Sequence, residues 1–349
     1  MKKINIMDVT LRDGSYAINF QFSCADVMMI GGALDKLGYN YIEIGHGMGL
    51  GASSPKNGQS LNSDEEYLKS AQRSIKNAKY GVFCIPGVAS YGDIEKAASL
   101  GMKFIRIGTN VDEIKKSEPY IKIAKSYGLE VMANYMKSYA LAPEKFAEQV
   151  AISQSYGADV VYIVDSAGGM LPYEIENYYN AIRKVSDIRL GFHAHNNLGL
   201  ALSNSIFAAS IGIEMIDCSL QGLGRSAGNA STELFTICMQ KYGYDLDIDY
   251  KKLLMVSNKL VRPFVKKTGI DPIDTICGVT SFHTSYLHTI HKQSAIMGCN
   301  PLELIEEYSK IDKIGMDTEK LATISKALQV DYNSLYNLNF TNYFGNEQL

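Results

Sequence analysis

Two short segments hold most of this chain's reactive side chains. Residues 8–14 read DVTLRDG and residues 193–197 read HAHNN, and each closes an apolar run. Together they bring one carboxylate (Asp13), two imidazoles (His193 and His195) and one guanidinium (Arg12). His193 and His195 lie two apart on a strand-like run, so both point to the same face. A mixed carboxylate and imidazole set suits a divalent cation and leaves coordination positions open to a substrate. Mn²⁺ is therefore expected, with Mg²⁺ or Co²⁺ as alternatives, rather than a closed structural zinc site. A cation with a fixed positive charge beside it stabilises negative charge building on a substrate oxygen, as in an enolate.

Other residues extend this set. Arg12 has two readings: an ion pair with Glu43, or an electrophilic clamp on an enolate oxygen that Glu43 orients. The stretch 45–51, GHGMGLG, is glycine-rich but matches neither a P-loop nor a dinucleotide fingerprint. Within it His46 is either a substrate contact or a turn residue. Asp165 and Ser166 close another apolar run, and Ser166 is a candidate substrate contact. The run 222–229, GLGRSAGN, offers backbone amides for a carboxylate. Asn229, at its end, is either a further metal ligand or a support for one.

These residues need elements to position them. Eight apolar runs read as strands: 4–9, 41–44, 80–85, 104–107, 130–134, 160–164, 190–193 and 215–219. They are continuous rather than alternating, as expected for parallel strands covered on both faces. Amphipathic stretches lie between them, including 25–37, 64–77, 111–127, 143–156, 171–185 and 200–211. Ser23 with Asp26 reads as an N-terminal cap. Gly38, Gly101, Gly128, Gly157 and Gly212 follow helices as terminators do. Eight strand–helix units in a row predict an α/β fold, a (β/α)₈ TIM barrel. Every candidate above falls where a strand ends, the face on which such barrels carry their sites. Strand signals stop after about residue 234. Residues 234–310 read as helical, broken at Pro263 and at the turn 269–272, and residues 300–331 as two or three short helices. The division expected is a catalytic barrel over 1–260 and a C-terminal helical domain over 261–349.

Composition narrows the function classes. The 349 residues carry a formal charge of −3 and are 46% hydrophobic, which gives a large core and no electrostatic case for nucleic acid or an anionic membrane. No apolar stretch is long enough to span a bilayer. Six cysteines without paired spacing read as reduced thiols, and residues 1–3 lead into a strand without an apolar leader. A cytoplasmic location is expected.

With these motifs in place, the chain resembles the 4-hydroxy-2-oxovalerate aldolases. These are class II pyruvate aldolases of a metal-dependent superfamily that also holds 3-hydroxy-3-methylglutaryl-CoA lyase and the isopropylmalate and homocitrate synthases. The resemblance rests on residues 8–14, 42–50, 85–87, 164–170, 193–197, 217–229 and 261–263. It implies Asp13, His193 and His195 as metal ligands, Arg12 as the enolate-stabilising arginine, and Arg12, Asp13 and Glu43 as the superfamily's hallmark set. It also implies a helical tail that docks an acylating aldehyde dehydrogenase, in a homo- or hetero-oligomer. One departure stands out. The family carries a catalytic histidine two residues after its Asp-Gly pair, where this chain has Tyr16. It carries an active-site tyrosine early in the helical region, where this chain has His283 in FHTSYL, 282–287. The expectation is that the two are exchanged, with His283 as base and Tyr16 as proton donor, since a phenol of pKa about 10 is a poor resting base. Met48 stands where an acidic residue is expected. The activity implied is reversible cleavage of a 4-hydroxy-2-oxo acid to pyruvate and an aldehyde. A Claisen-type acyl-CoA synthase and a non-catalytic barrel subunit regulating a dehydrogenase are the rival readings.

Overall fold

The structure is a computed structural model describing residues 3–328. The end of the last expected helical stretch and the end of the expected second domain lie outside the described residues. Eight parallel strands close in chain order into a barrel. They are β1 (Asn5–Leu11), β2 (Tyr41–Ile44), β3 (Lys79–Cys84), β4 (Phe104–Asn110), β5 (Glu130–Met136), β6 (Val160–Asp165), β7 (Arg189–Ala194) and β8 (Met215–Cys218). Closure sets Asn5 opposite Met215 and Asp8 opposite Cys218. The (β/α)₈ expectation holds.

The apolar runs form strands because both of their faces are covered. In β6 every residue is buried. Val160, Tyr162 and Val164 join Met7, Val9 and Phe104 in a cluster inside the barrel, while Val161 and Ile163 pack outward against the helices. Alternation along β2, β4 and β8 then turns Glu43, Arg106 and Asp217 to the same inner side as Tyr41, Phe104 and Met215. Strand β1 breaks its alternation. Its register shifts between Asp8 and Leu11, and the Arg12 N–H donates to the Val9 carbonyl at 3.1 Å. Leu11 goes out to the helix layer and Arg12 comes in, a re-aiming typical of bulges near sites.

Some helix boundaries differ from the reading of the sequence. The helix expected over 64–77 is Asp64–Ser74, because the Asp35 carboxylate takes the Asn77 and Ala78 N–H groups at 2.7 and 2.6 Å. The stretch expected from 111 begins later, with a short turn Ile114–Lys116 and a helix Ser117–Ser126. The Val111 N–H still donates to Met136, extending the β4–β5 pairing. Helix Tyr91–Ser99, capped by Ser90 and Asp93, completes the third unit. The Ser23–Asp26 cap is present. All six cysteines are free thiols. Among the described residues no helix is long and apolar enough to cross a membrane.

Helices Thr232–Lys241 and Tyr250–Leu260 share the main core through Phe235, Met239 and Leu253. Helices Pro272–Thr280, Leu287–Met297, Pro301–Ser309 and Thr318–Ala327 build a second apolar cluster around Ile273, Phe282, Leu304 and Tyr308. The helical region from 234 to 310 is broken where expected, by the turn Arg262–Phe264 at Pro263 and at Gly269, φ 89°. Polar contacts fix this second cluster onto the mouth of the barrel. Lys137 donates to the Tyr286 hydroxyl at 3.2 Å and to the Ile314 carbonyl, and Ser226 donates to Asp274 at 2.9 Å. The backbones touch where Gly169 meets Gly278: a Cβ on Gly169 would lie 2.1 Å from the Gly278 carbonyl oxygen. Gly169→Ala is expected to cost about 1–3 kcal/mol of stability. Chemical denaturation measures it, and an unchanged midpoint with unchanged slope would show that the two segments part freely.

Candidate active site

The turn that follows β1, Asp13–Ile18, carries Asp13 and Tyr16. Arg12 lies between two carboxylates. Its Nε donates to Glu43 at 2.7 Å and its Nη1 to Asp13 at 2.7 Å, with the guanidinium 4.8 Å over the Phe83 ring. Glu43 is fully buried and also accepts from Arg106 at 3.0 Å. It orients Arg12 from behind and does not reach the cavity. Arg106 pairs on its other side with Asp217 at 2.7 Å, and His193 Nδ1–H donates to that same Asp217 at 2.8 Å. A buried chain of ion pairs therefore runs from Arg12 through Glu43 and Arg106 to Asp217, and His193 joins it by a hydrogen bond. Such pairs hold geometry more than they add stability, because each ion has lost its water.

Asp13, His193 and His195 offer ligand atoms that lie within 4.8 Å of one another, and all three residues are buried. Burial alone would raise Asp13, but Arg12, His195, His193 and Arg225 outweigh it and hold the carboxyl well below its usual range. Burial pushes His195 down to about 3, helped by His193, Arg225 and Arg12. Both groups are thus in the forms that bind a cation. With Nδ1 of His193 engaged by Asp217, its Nε2 is left for the cation, a carboxylate–histidine arrangement common at metal sites. The buried His195 Nδ1 and Asn229 Oδ1 have no hydrogen-bond partner, which fits a group with open valences beside them. Asn229 Nδ2 donates to Asp13 at 2.8 Å and to the Leu223 carbonyl at 3.3 Å. It braces the aspartate while leaving its own oxygen near the set.

Tyr16, Arg225 and His283 line the same cavity. The Arg225 guanidinium stacks 4.2 Å over the Tyr16 ring, and its Nη1 lies 3.3 Å from His283 Nε2. His283 Nδ1 lies 2.6 Å from the Ser285 hydroxyl. Arginine only donates, so the consistent tautomer has Nδ1–H donating to Ser285 and an Nε2 lone pair facing Arg225. Burial first, then Lys137, Arg225 and His195, hold this imidazole well below its ordinary pKa. Arg12, Asp13, Tyr16, His193, His195, Arg225 and His283 line one cavity, with Ser166, Phe83, Ile85 and Val164 among its other walls. Ser166 Oγ also accepts from the Lys137 N–H at 2.9 Å.

His46 is not brought to this cavity. Its Nε2–H donates to the Gly58 carbonyl at 3.1 Å, and its Nδ1 accepts from the Met48 N–H at 3.1 Å. The ring stacks on Phe20 at 3.8 Å, and burial lowers its pKa to about 4. It is a turn residue rather than a substrate contact, since both ring nitrogens are spent on the loop. Met48 packs beside Tyr16 and Phe20. Three residues escaped the reading of the sequence: Arg106, Asp217 and Arg225. The first two had a signal, because each is a lone charge inside an apolar strand (FIRI, 104–107, and MIDC, 215–218). Arg225 had none beyond its glycine-rich run.

Comparison with known proteins agrees with this geometry. Residues 3–260 match the HMGL-like family. A 4-hydroxy-2-oxovalerate aldolase from Carboxydothermus hydrogenoformans is 36% identical over 94% of this chain and 98% of its own length. 4-Hydroxy-2-oxovalerate aldolase 4 from Rhodococcus opacus is 37% identical over 94% of both chains. The HMG-CoA lyase structure from Brucella melitensis shares the fold, with a TM-score of 0.64 at 18% identity, over 76% of this chain and all of that one. Matched across its whole barrel and aligned with such relatives almost end to end, the chain belongs to the HMGL-like family, on the branch of the 4-hydroxy-2-oxovalerate aldolases.

Proposed function

We propose that this protein is a pyruvate aldolase, a carbon–carbon lyase that interconverts a 4-hydroxy-2-oxo acid with pyruvate and an aldehyde. The observation that carries the reading is that one cavity is lined both by the cluster Asp13, His193 and His195 with Arg12 and by Tyr16 and His283. Asp13, His193 and His195 would hold a divalent cation, Mn²⁺ before Mg²⁺ or Co²⁺, which would supply Lewis acidity to the bound 2-oxo acid. Arg12, held by Glu43 and Asp13, faces the charge that develops on the C2 oxygen. In cleavage Arg225 gives up the Nε2 lone pair of His283, the 4-hydroxyl proton passes to that nitrogen, the C3–C4 bond opens, and its electron pair runs to the C2 oxygen. Tyr16 then protonates C3 of the enolate, and transfer of the proton from His283 to the Tyr16 oxygen closes the cycle. Ser166 and Asn229 complete the site as a wall contact and as a brace for Asp13.

The same reading assigns residues 1–260 to the catalytic barrel, which His283 completes from the C-terminal domain that begins at 261, and gives that domain the docking of a dehydrogenase partner, in an oligomer working in the cytoplasm. The rival synthase and the non-catalytic subunit are not favoured, since the relatives that match almost the whole chain carry the aldolase name. The deciding experiment follows pyruvate formation from 4-hydroxy-2-oxo acids by metal-loaded enzyme, with and without chelator, together with exchange of pyruvate C3 protons with solvent. Chelator-sensitive turnover and exchange are expected. Absence of both would overturn the reading.

A further inference from the structure

One polar side chain of the cavity wall has no part in the chemistry above. Asn134 is 3% exposed and lines the cavity, and among the described residues none hydrogen-bonds its side-chain amide. It interrupts an apolar stretch, MANYM at 132–136. Met132 points into the barrel while Ala133 and Tyr135 pack outward, so alternation turns Asn134 inward. Its surroundings are apolar. Met136 is two residues further along the same face of β5, and Val164 stands two beyond Tyr162, the register partner of Asn134 on β6. On β4 the partner is Gly108. A Cβ there would lie 2.2 Å from the Phe83 ring, so that ring fills the place beside the amide.

Resting on the aldolase reading, we propose that Asn134 hydrogen-bonds a hydroxyl on the aldehyde half of the substrate, so that the acceptor is a 2-hydroxyaldehyde of the sugar type rather than an alkyl aldehyde. Position argues for that half. Arg12 and the cation ligands come from the ends of β1 and β7, and β5 stands four strands from β1 either way round the closed barrel. A 2-oxo acid with its C1 and C2 oxygens toward Arg12 and Asp13 runs its far end toward β5. Chemistry argues for a hydroxyl. A side-chain amide offers both an acceptor and donors, and a hydroxyl answers both. A carboxylate or phosphate would exchange its water for a neutral amide and the side chains of Phe83, Met136 and Val164, at high cost. Packing alone calls for no amide here. Leucine fills nearly the same volume with nothing to desolvate, whereas a buried amide without a partner is destabilising.

Two measurements test this, one of them without turnover. Pyruvate stops at C3, 2-oxopentanoate carries two more apolar carbons, and neither has a 4-hydroxyl to cleave. In calorimetric titration of the metal-loaded protein, Asn134→Leu is expected to bind 2-oxopentanoate roughly tenfold tighter than wild type does, because the apolar tail no longer strips water from an amide. Pyruvate affinity stays as in wild type. Loss of pyruvate binding in both Asn134→Leu and Asn134→Ser places Asn134 at the shared 2-oxo end and overturns the proposal, as does an unchanged affinity for 2-oxopentanoate in Asn134→Leu. The second measurement is aldol addition of pyruvate to glycolaldehyde or propanal, which differ by a hydroxyl in place of a methyl group. Wild type is expected to favour glycolaldehyde in kcat/KM by roughly tenfold or more. Asn134→Leu abolishes that preference and Asn134→Ser keeps part of it. Equal efficiencies in wild type, or an equal fall for both aldehydes in Asn134→Leu, overturn the proposal. Exchange of pyruvate C3 protons with solvent separates the two ideas. Exchange without aldehyde preference defeats the hydroxyl contact and leaves the aldolase reading standing. The affinity pattern without exchange or turnover supports the polar subsite and defeats the aldolase reading.

Discussion

Asp13→Ala is expected to abolish stoichiometric divalent-metal binding and to lower pyruvate formation by on the order of 10³-fold or more. A Lewis acid contributes several kcal/mol to such a transition state, and each 1.4 kcal/mol is about tenfold in rate. The loss goes beyond one ligand. Asp13 is the carboxylate of the cluster, the partner of Arg12 at 2.7 Å and the acceptor from Asn229 at 2.8 Å. Its removal leaves two imidazoles to hold the cation and frees Arg12 to swing toward Glu43 alone. Metal content after dialysis, read beside turnover and far-ultraviolet circular dichroism, checks this. A folded variant with full metal content and wild-type turnover would remove Asp13 from the site.

His283→Ala is expected to lower turnover by about 10² to 10⁴-fold, the range for loss of a general base, with metal content unchanged. The separation follows from placement. His283 sits on the helical region, at the cap of the turn Thr284–Tyr286, and is bonded to Ser285 rather than to any ligand of the cation. Its pH behaviour gives a second check. Burial, Lys137, Arg225 and His195 all disfavour the imidazolium and hold the pKa well below 6.5. The base is therefore already deprotonated at neutral and mildly acidic pH. At saturating metal, kcat/KM has no acidic limb near 6.5 and falls only at distinctly lower pH. A limb at the ordinary histidine pKa, unchanged in His283→Ala, would assign the base elsewhere.

Much of this site could be read without coordinates. Asp13, His193 and His195 were legible because each follows a strong apolar run, and parallel strands covered on both faces leave that mark in the sequence. Tyr16 and His283 were legible only as an exchange relative to a family pattern. Nothing in residues 282–287 announces that they cap a barrel mouth. His46 was ambiguous because a glycine-rich loop can present a histidine or fold it back, and contacts to Gly58 and Phe20, neither adjacent in the chain, decide which.

The chain's own pattern determined the eight strand–helix units, the closed barrel and the face on which the ligands gather. These depend on local hydrophobic period and on the rule that strand ends converge. Tertiary structure decided which strand residues turn inward. The shift in β1 that sends Leu11 out and Arg12 in, and the meeting of Arg106 with Glu43 and Asp217, exist only once the barrel closes. It also decided that Arg225 and His283, 58 positions apart, stand 3.3 Å from each other. Pairings of that kind come from the geometry of closure and docking, which no local period encodes.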